Sequence, residues 1–163
     1  MYLYIDSAYF RRVMADQVQA VLGVSATPFW PAVRQFFRAS RVFVYECLHD
    51  LQRDGEQDEA FKARVSAQEC MLKSIGLVDG FFLRRGSLRG TANRPRQKEI
   101  DVLLAVDLLT HAHRKAASLV TLVAGDLDFK PVVEAVVDLG VRVTVAYETK
   151  SGAVDLALAA DRS

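Results

Sequence analysis

The sequence predicts a doubly wound α/β sandwich, in which a mostly parallel five-stranded sheet is covered by helices on both faces. Two observations carry this expectation. The runs LVTLVA at Leu119–Ala124 and VRVTVAY at Val141–Tyr147 are near-continuous apolar stretches, as strands buried on both faces are. Stretches with helical spacing separate the strand-like runs, and helical crossovers between strands imply parallel neighbours. A chain of 163 residues suits one such domain, spanning residues 1–163.

Taken in order, Tyr2–Ile5 is a short apolar and aromatic run suited to a buried first strand. A helix is expected from Ala8 to about Leu22, with apolar positions at Phe10, Val13, Met14, Val18, Val21 and Leu22, ending at Gly23. Pro28 and Pro31 break residues 25–31 into a turn region. A short helix, Ala32–Arg38, leads to the second strand, Arg41–Cys47, rich in β-branched and aromatic residues. Asp50–Asp58 is polar and reads as a loop. Glu59–Ser74 carries a helical stripe that stops at Gly76, and Val78–Leu83 reads as the third strand. Arg84–Arg96, with Gly86, Gly90 and Pro95, has no regular pattern and reads as an exposed loop. There follow a helix at Lys98–Ala112, the fourth strand at Leu119–Ala124, a helix at Lys130–Leu139 and the fifth strand at Val141–Tyr147. A last helix is expected at about Ala153–Ala160.

Composition narrows the function. With 51% hydrophobic and 25% charged residues, the chain can bury a core and is not a disordered segment. A net charge of +1 means that any affinity for nucleic acid must come from local patches. Cys47 and Cys70 lie far apart without a CxxC neighbour, so two reduced, largely buried thiols are expected rather than a disulfide or a zinc site. No apolar run approaches a membrane span and the N-terminus has no secretory pattern. A cytoplasmic location is the expectation.

In open α/β sheets a ligand binds outside the carboxyl ends of the strands, near the point where strand order reverses. Asp6 directly follows the first strand, and Asp126 and Asp128 follow the fourth in AGDLDF. The helix that feeds the fourth strand runs antiparallel to it and so begins at this same edge, with Asp101 in its first turn. Singly, each of these acids also reads as a helix cap, a turn former or a complement to the helix dipole. Together they bring like charges to one edge, which a divalent cation relieves. Oxygen ligands suit magnesium, whose chemistry in such sites includes phosphodiester cleavage. Asp107, six residues past Asp101, falls about 9 Å further along the helix and roughly 120° around it. It is expected as a supporting or structural acid, and Ser7 as a possible neighbour of the site.

Residues 84–98, RRGSLRGTANRPRQK, contain Arg84, Arg85, Arg89, Arg94, Arg96 and Lys98 and no acid. Leading into the helix of Asp101, this stretch is expected to hold phosphates close to the metal site, although charge runs are usually solvated faces. Lys98 either pairs with the carboxylates or contacts a phosphate. Tyr9 is a candidate for stacking on a base, whereas Phe10 is expected in the core.

The strand ending in Asp6, the stretch KEIDVLLAVDLL at Lys98–Leu109, LVAGDLDFKPVV at Leu122–Val133 and LGVRVTVAY together resemble the NYN family. These domains, sometimes grouped with LabA-like bacterial proteins, belong to the PIN-like nuclease superfamily. The family pattern Asp-x-x-Asn is matched by Asp6, Lys-x-x-Asp by Lys98 and Asp101, and Ser-Gly-Asp-x-Asp-Phe by Gly125, Asp126, Asp128 and Phe129. The closing SGAVDLALAAD resembles the family's last helix. Two positions depart from the pattern: Tyr9 stands where Asn is usual, and Ala124 where Ser is usual. The resemblance implies a strand order near 3-2-1-4-5 and magnesium- or manganese-dependent cleavage of RNA, with Asp6, Asp101, Asp126 and Asp128 as metal ligands. A noncatalytic RNA-binding or regulatory module is the alternative, and a homodimer is compatible with a domain of this size. A phosphatase or receiver-like domain is disfavoured because Asp6-Ser7-Ala8 lacks an Asp-x-Asp nucleophile motif.

Overall fold

The computed structural model describes residues 1–13, 29–91, 94–98, 100–148 and 153–161, with the backbone alone over 87–91 and 94–98. The strands are β1 (Tyr2–Asp6), β2 (Arg41–Cys47), β3 (Phe81–Thr91), β4 (Arg94–Lys98), β5 (Leu119–Val123) and β6 (Arg142–Ala146). The helices are α1, described over residues 7–13, then α2 (Trp30–Phe37), α3 (Asp58–Gly76), α4 (Ile100–His113), α5 (Lys130–Asp138) and α6 (Val154–Leu158). Most of the first expected helix, from residue 14 to Leu22, lies outside the described residues, as do positions 25–28 of the turn region.

The sheet order is β4-β3-β2-β1-β5-β6. Five strands are mutually parallel, in the order 3-2-1-4-5 when counted among themselves. Alternate residues of each strand supply the two core faces. Tyr4, Tyr45, Leu122 and Val143 face one side, where they pack with Leu104 and Leu108 of α4, Val136 of α5 and Leu156 of α6. Leu3, Ile5, Val42 and Val44 face the other, against Trp30 and Val33 of α2 and Leu72 and Ile75 of α3. Phe10 joins this second face beside Trp30, their ring centroids 6.0 Å apart.

The stretch expected as a loop is instead an antiparallel β-ribbon: β3 continues past Leu83 and pairs with β4, Thr91 lying opposite Arg94 and Ser87 opposite Lys98. The ribbon projects at the edge of the sheet, where apolar alternation is not required, so its polar sequence carried no strand signal. Pro95 is tolerated because β4 is an edge strand. Lys98 accordingly ends β4 rather than opening α4. The thiols also differ from expectation: Cys47 is buried, but Cys70 is exposed, because α3 buries Leu72 and Ile75 instead.

The opposite edge strand is tied down by Asp161. Its backbone N–H donates to the Val143 carbonyl at 3.0 Å, and its carboxylate accepts from the Val143 N–H at 2.8 Å. Two bonds thus extend the ladder by one residue and cover part of an otherwise open edge. Among the described residues no helix is long and apolar enough to cross a membrane.

Candidate metal centre

Strand order reverses between β1 and β5, since β1 continues outward through β2 while β5 continues through β6. Tyr2–Ile5 pairs with Val120–Val123, so Asp6 and the AGDLD segment leave the sheet side by side. Asp6, Tyr9, Arg12, Gly125 and Asp126 line an open cleft of about 660 Å³ at this point.

Asp6 caps a helix there. One carboxylate oxygen, Oδ1, accepts from the N–H groups of Ala8 and Tyr9 at 3.1 and 3.2 Å, which caps the start of α1. Neither bond occupies the second oxygen, Oδ2. Asp126 behaves alike: its Oδ1 accepts from the Asp128 N–H at 3.0 Å and caps the short 3₁₀ turn Leu127–Phe129. Both cap readings therefore hold, and neither consumes the carboxylate.

The electrostatics tie these acids to Asp101. Burial pushes the Asp6 carboxyl above its ordinary range. The Tyr9 and Ala8 amides pull it back down, while the charges of Asp101 and Glu46 add to the rise. The Asp101 carboxyl is also raised, first by desolvation and then by the charges of Asp126 and Asp128. Asp101 is exposed as a residue, so its carboxyl is only partly shielded and the repulsion is screened. The four acids form one chain of mutual repulsion, from Asp6 through Asp101 to Asp126 and Asp128.

Among the described residues, no three carboxylate, His or Cys side chains stand close enough to hold a metal by themselves. The donor set nevertheless fits a hydrated hard cation. Magnesium uses one or two carboxylates with several waters and does not need a closed protein cage, and Asp6 and Asp126 open into one cleft.

Glu46 was not anticipated. It is 1% exposed, at the end of β2 and close enough to raise the Asp6 carboxyl. Its carboxylate accepts from the Ser7 hydroxyl at 2.7 Å and the Cys47 N–H at 3.1 Å, and it pairs with the Arg11 guanidinium. A buried charge demands such partners. Ser7 thereby hangs on Glu46 rather than on the cleft. The signal in the sequence was a lone Glu inside the apolar run RVFVYEC.

Other expected residues fall elsewhere. Asp107 accepts two bonds from the Arg84 guanidinium, at 2.6 and 2.8 Å, and one from the Tyr45 hydroxyl at 2.9 Å. Arg84 on β3 and Asp107 on α4 are engaged with each other, so the Arg84 guanidinium is not a spare phosphate contact. Arg85 is exposed on β3. Arg89, Arg94, Arg96 and Lys98 lie on the ribbon backbone, and their side chains are outside the described set. Tyr9 is 6% exposed, which corrects its assignment as a base-stacking platform: its ring lies over Gly125 and its hydroxyl accepts from the Glu148 N–H at 2.7 Å.

The raised carboxyls make a stability prediction with a definite sign. A carboxyl raised in the folded state binds protons more readily there than in the unfolded chain. Its ionisation opposes folding at neutral pH, and that cost disappears as pH falls through the raised value. Asp6→Asn keeps the capping oxygen and removes the charge. In chelator at pH 7 it is expected to be more stable than the parent by roughly 0.5–2 kcal/mol, with the gain fading on acidification. Magnesium should stabilise the parent more than the variant. Thermal melts with and without metal check this; a variant destabilised in chelator contradicts it.

A family model described as the NYN domain matches residues 2–163 of the chain. No curated protein matches. The solved structure of a protein of unknown function from Vibrio parahaemolyticus is similar with a TM-score of 0.58 at 15% identity, covering 99% of this chain and 88% of the other. At that identity the likeness speaks to the fold alone.

Proposed function

This chain belongs to the NYN domain family, within the PIN-like nuclease superfamily, and from that premise we propose that it is a divalent-metal-dependent ribonuclease. The observation that carries the reading is the mutual charge repulsion of Asp6, Asp101, Asp126 and Asp128 at the strand-order reversal, beside an open cleft. A magnesium or manganese ion held there would supply charge neutralisation at a phosphodiester and would lower the pKa of a bound water. Asp6 and Asp126 would hold the ion through the oxygens left over from capping, and Asp101 and Asp128 would add negative charge beside it, directly or through water. Glu46, through Ser7 and Arg11, fixes the first turn of α1 and hence the direction of Asp6. Arg12, at the mouth of the cleft, meets the phosphate backbone, and the basic ribbon extends that contact. The protein is expected to act in the cytoplasm.

The test is incubation of the full chain with single- and double-stranded RNA and DNA, in manganese, in magnesium and in chelator. Metal-dependent cleavage of RNA is the expected result. One observation favours the rival, a binding module without turnover: among the described residues no three acids close a cage unaided. Retention of RNA with no cleavage in either metal decides for that rival.

A further inference from the structure

The carboxyl end of β2 opens a second cavity beside the metal cleft. After Cys47 the chain leaves the sheet at the edge where Asp6 leaves β1, since the two strands run parallel with Tyr45 opposite Asp6. Arg11 of α1, Arg64, Gln68 and Met71 of α3, and His49 and Arg53 of the intervening loop line a hollow of about 430 Å³ there. Three arginines and a histidine line it and no acid does. The start of α1 parts the two cavities. Ala8 and Arg12, one turn apart, line the metal cleft. Ser7 and Arg11, one turn apart on the neighbouring face, reach the buried Glu46.

Part of this charge serves the fold. Arg64 donates to the Glu56 carboxylate through Nε and Nη2, at 2.8 and 2.9 Å, and to the carbonyls of His49 and Leu51 at 2.6 and 3.0 Å. Gln68 accepts from the His49 N–H at 2.8 Å and donates to the Cys47 carbonyl at 3.0 Å. These bonds fix the loop's backbone and nearly exhaust the Arg64 donors. Other donors are left over. Among the described residues the Arg53 guanidinium and the His49 ring make no hydrogen bond or ion pair, and both residues are exposed. Arg11 pairs with Glu46 through Nη1, and 29% of its side chain remains exposed. Asp50 and Asp54 of the same loop, and Asp58 at the start of α3, are exposed and do not line the hollow. A fixed backbone carrying donors without partners suits an anion, because little ordering remains when the ligand arrives.

We propose that this hollow is a phosphate subsite for the RNA strand, taking a backbone phosphate a few nucleotides from the scissile bond on Arg53, His49 and the outer side of Arg11. The choice of ligand rests on the reading of the chain as one that acts on RNA. Sheet order supplies the path: β2 stands between β1, with its acid, and the β3–β4 ribbon. A strand running from the metal cleft toward the basic ribbon therefore passes the end of β2. It has only α1 to cross, about 10 Å wide with its side chains, which a few nucleotides span. Arg85, opposite Glu46 in the β2–β3 register, points to the same face of the sheet as Glu46. It is exposed and continues the track from the hollow toward the ribbon. Contacts of this kind add affinity without a preference among bases.

Fluorescence anisotropy of a labelled single-stranded RNA of about ten nucleotides tests this against the full chain, in chelator, from roughly 50 mM salt upward. Arg53→Ala is expected to bind roughly three- to tenfold more weakly than the parent, with the slope of log affinity against log salt shallower by about 0.7. His49→Ala should weaken binding by a smaller factor. Neither side chain holds the fold, so both variants should melt as the parent does. Arg142→Ala removes an equal charge at the exposed amino end of β6 and should stay within about twofold of the parent. A parent that binds while Arg53→Ala and His49→Ala bind as tightly, with the same slope, overturns the subsite and leaves the ribonuclease reading standing. Equal losses in Arg53→Ala and Arg142→Ala also overturn it, because they mark a diffuse charge effect, and so does a parent that binds no RNA. The expected loss in a chain that never cleaves RNA keeps the subsite and rejects the ribonuclease reading, since affinity and not turnover is measured.

Discussion

Asp126→Asn and Asp101→Asn are each expected to reduce metal-dependent RNA cleavage at least about a hundredfold, the upper range seen when only the supporting shell of a metal site is lost. Asparagine matches aspartate in shape and keeps an oxygen, so at position 126 it can still accept the Asp128 N–H that closes the 3₁₀ turn. What disappears is the negative charge, which holds a hard cation. The fold should survive, and at position 101 the loss also relieves repulsion from Asp126 and Asp128. Asp107→Asn is the matched control on the same helix. It weakens the pair with Arg84 and the bond from Tyr45, so it should lower the melting temperature while leaving cleavage within a few-fold. Rates at saturating manganese, alongside melting curves, separate the two effects. Full activity in Asp126→Asn would remove that carboxylate from the metal site.

The physical basis of what could be read from the sequence is visible in these same residues. Near-continuous apolar runs such as Leu119–Val123 are buried on both faces, so burial alone wrote them into the sequence, and with them the parallel sheet. Acids immediately after such strands are legible for the same reason, because the strand fixes which edge they leave from. The β3–β4 ribbon was not legible. At the edge of the sheet it is made by its backbone ladder, which a polar sequence does not announce. Glu46 was obscured differently: its cost is met by Ser7, Cys47 and Arg11, partners scattered over three elements that only the folded chain assembles. Tyr9 misled because an aromatic beside an acidic motif suits base stacking equally well, and only the register of β1 on β5 shows what its ring covers.

That register underlies the second large effect, expected for Gly125→Ala. A Cβ at position 125 would stand 2.2 Å from Cε2 of Tyr9 and 2.7 Å from Cζ, well inside van der Waals contact. The ring cannot easily give way: it is 6% exposed, its hydroxyl is held by the Glu148 N–H, and its own N–H is bound to Asp6. Relief must come from moving the first turn of α1 away from the end of β5, which parts Asp6 from Asp126. The expected cost is about 3 kcal/mol, the upper end of ordinary overpacking, with a melting point lower by roughly 2–4 °C for each kcal/mol and cleavage falling with it. A double-mutant cycle isolates the cause. If the ring is the obstacle, Tyr9→Ala costs stability alone but lessens the penalty of Gly125→Ala, so the pair loses less than the sum of the single losses. Strict additivity would place the need for glycine in the backbone of the β5 turn instead. A coupled result means that the residue standing in place of the family's usual Asn and the glycine before Asp126 are one packing unit, which sets the width of the cleft between the first acid and the third.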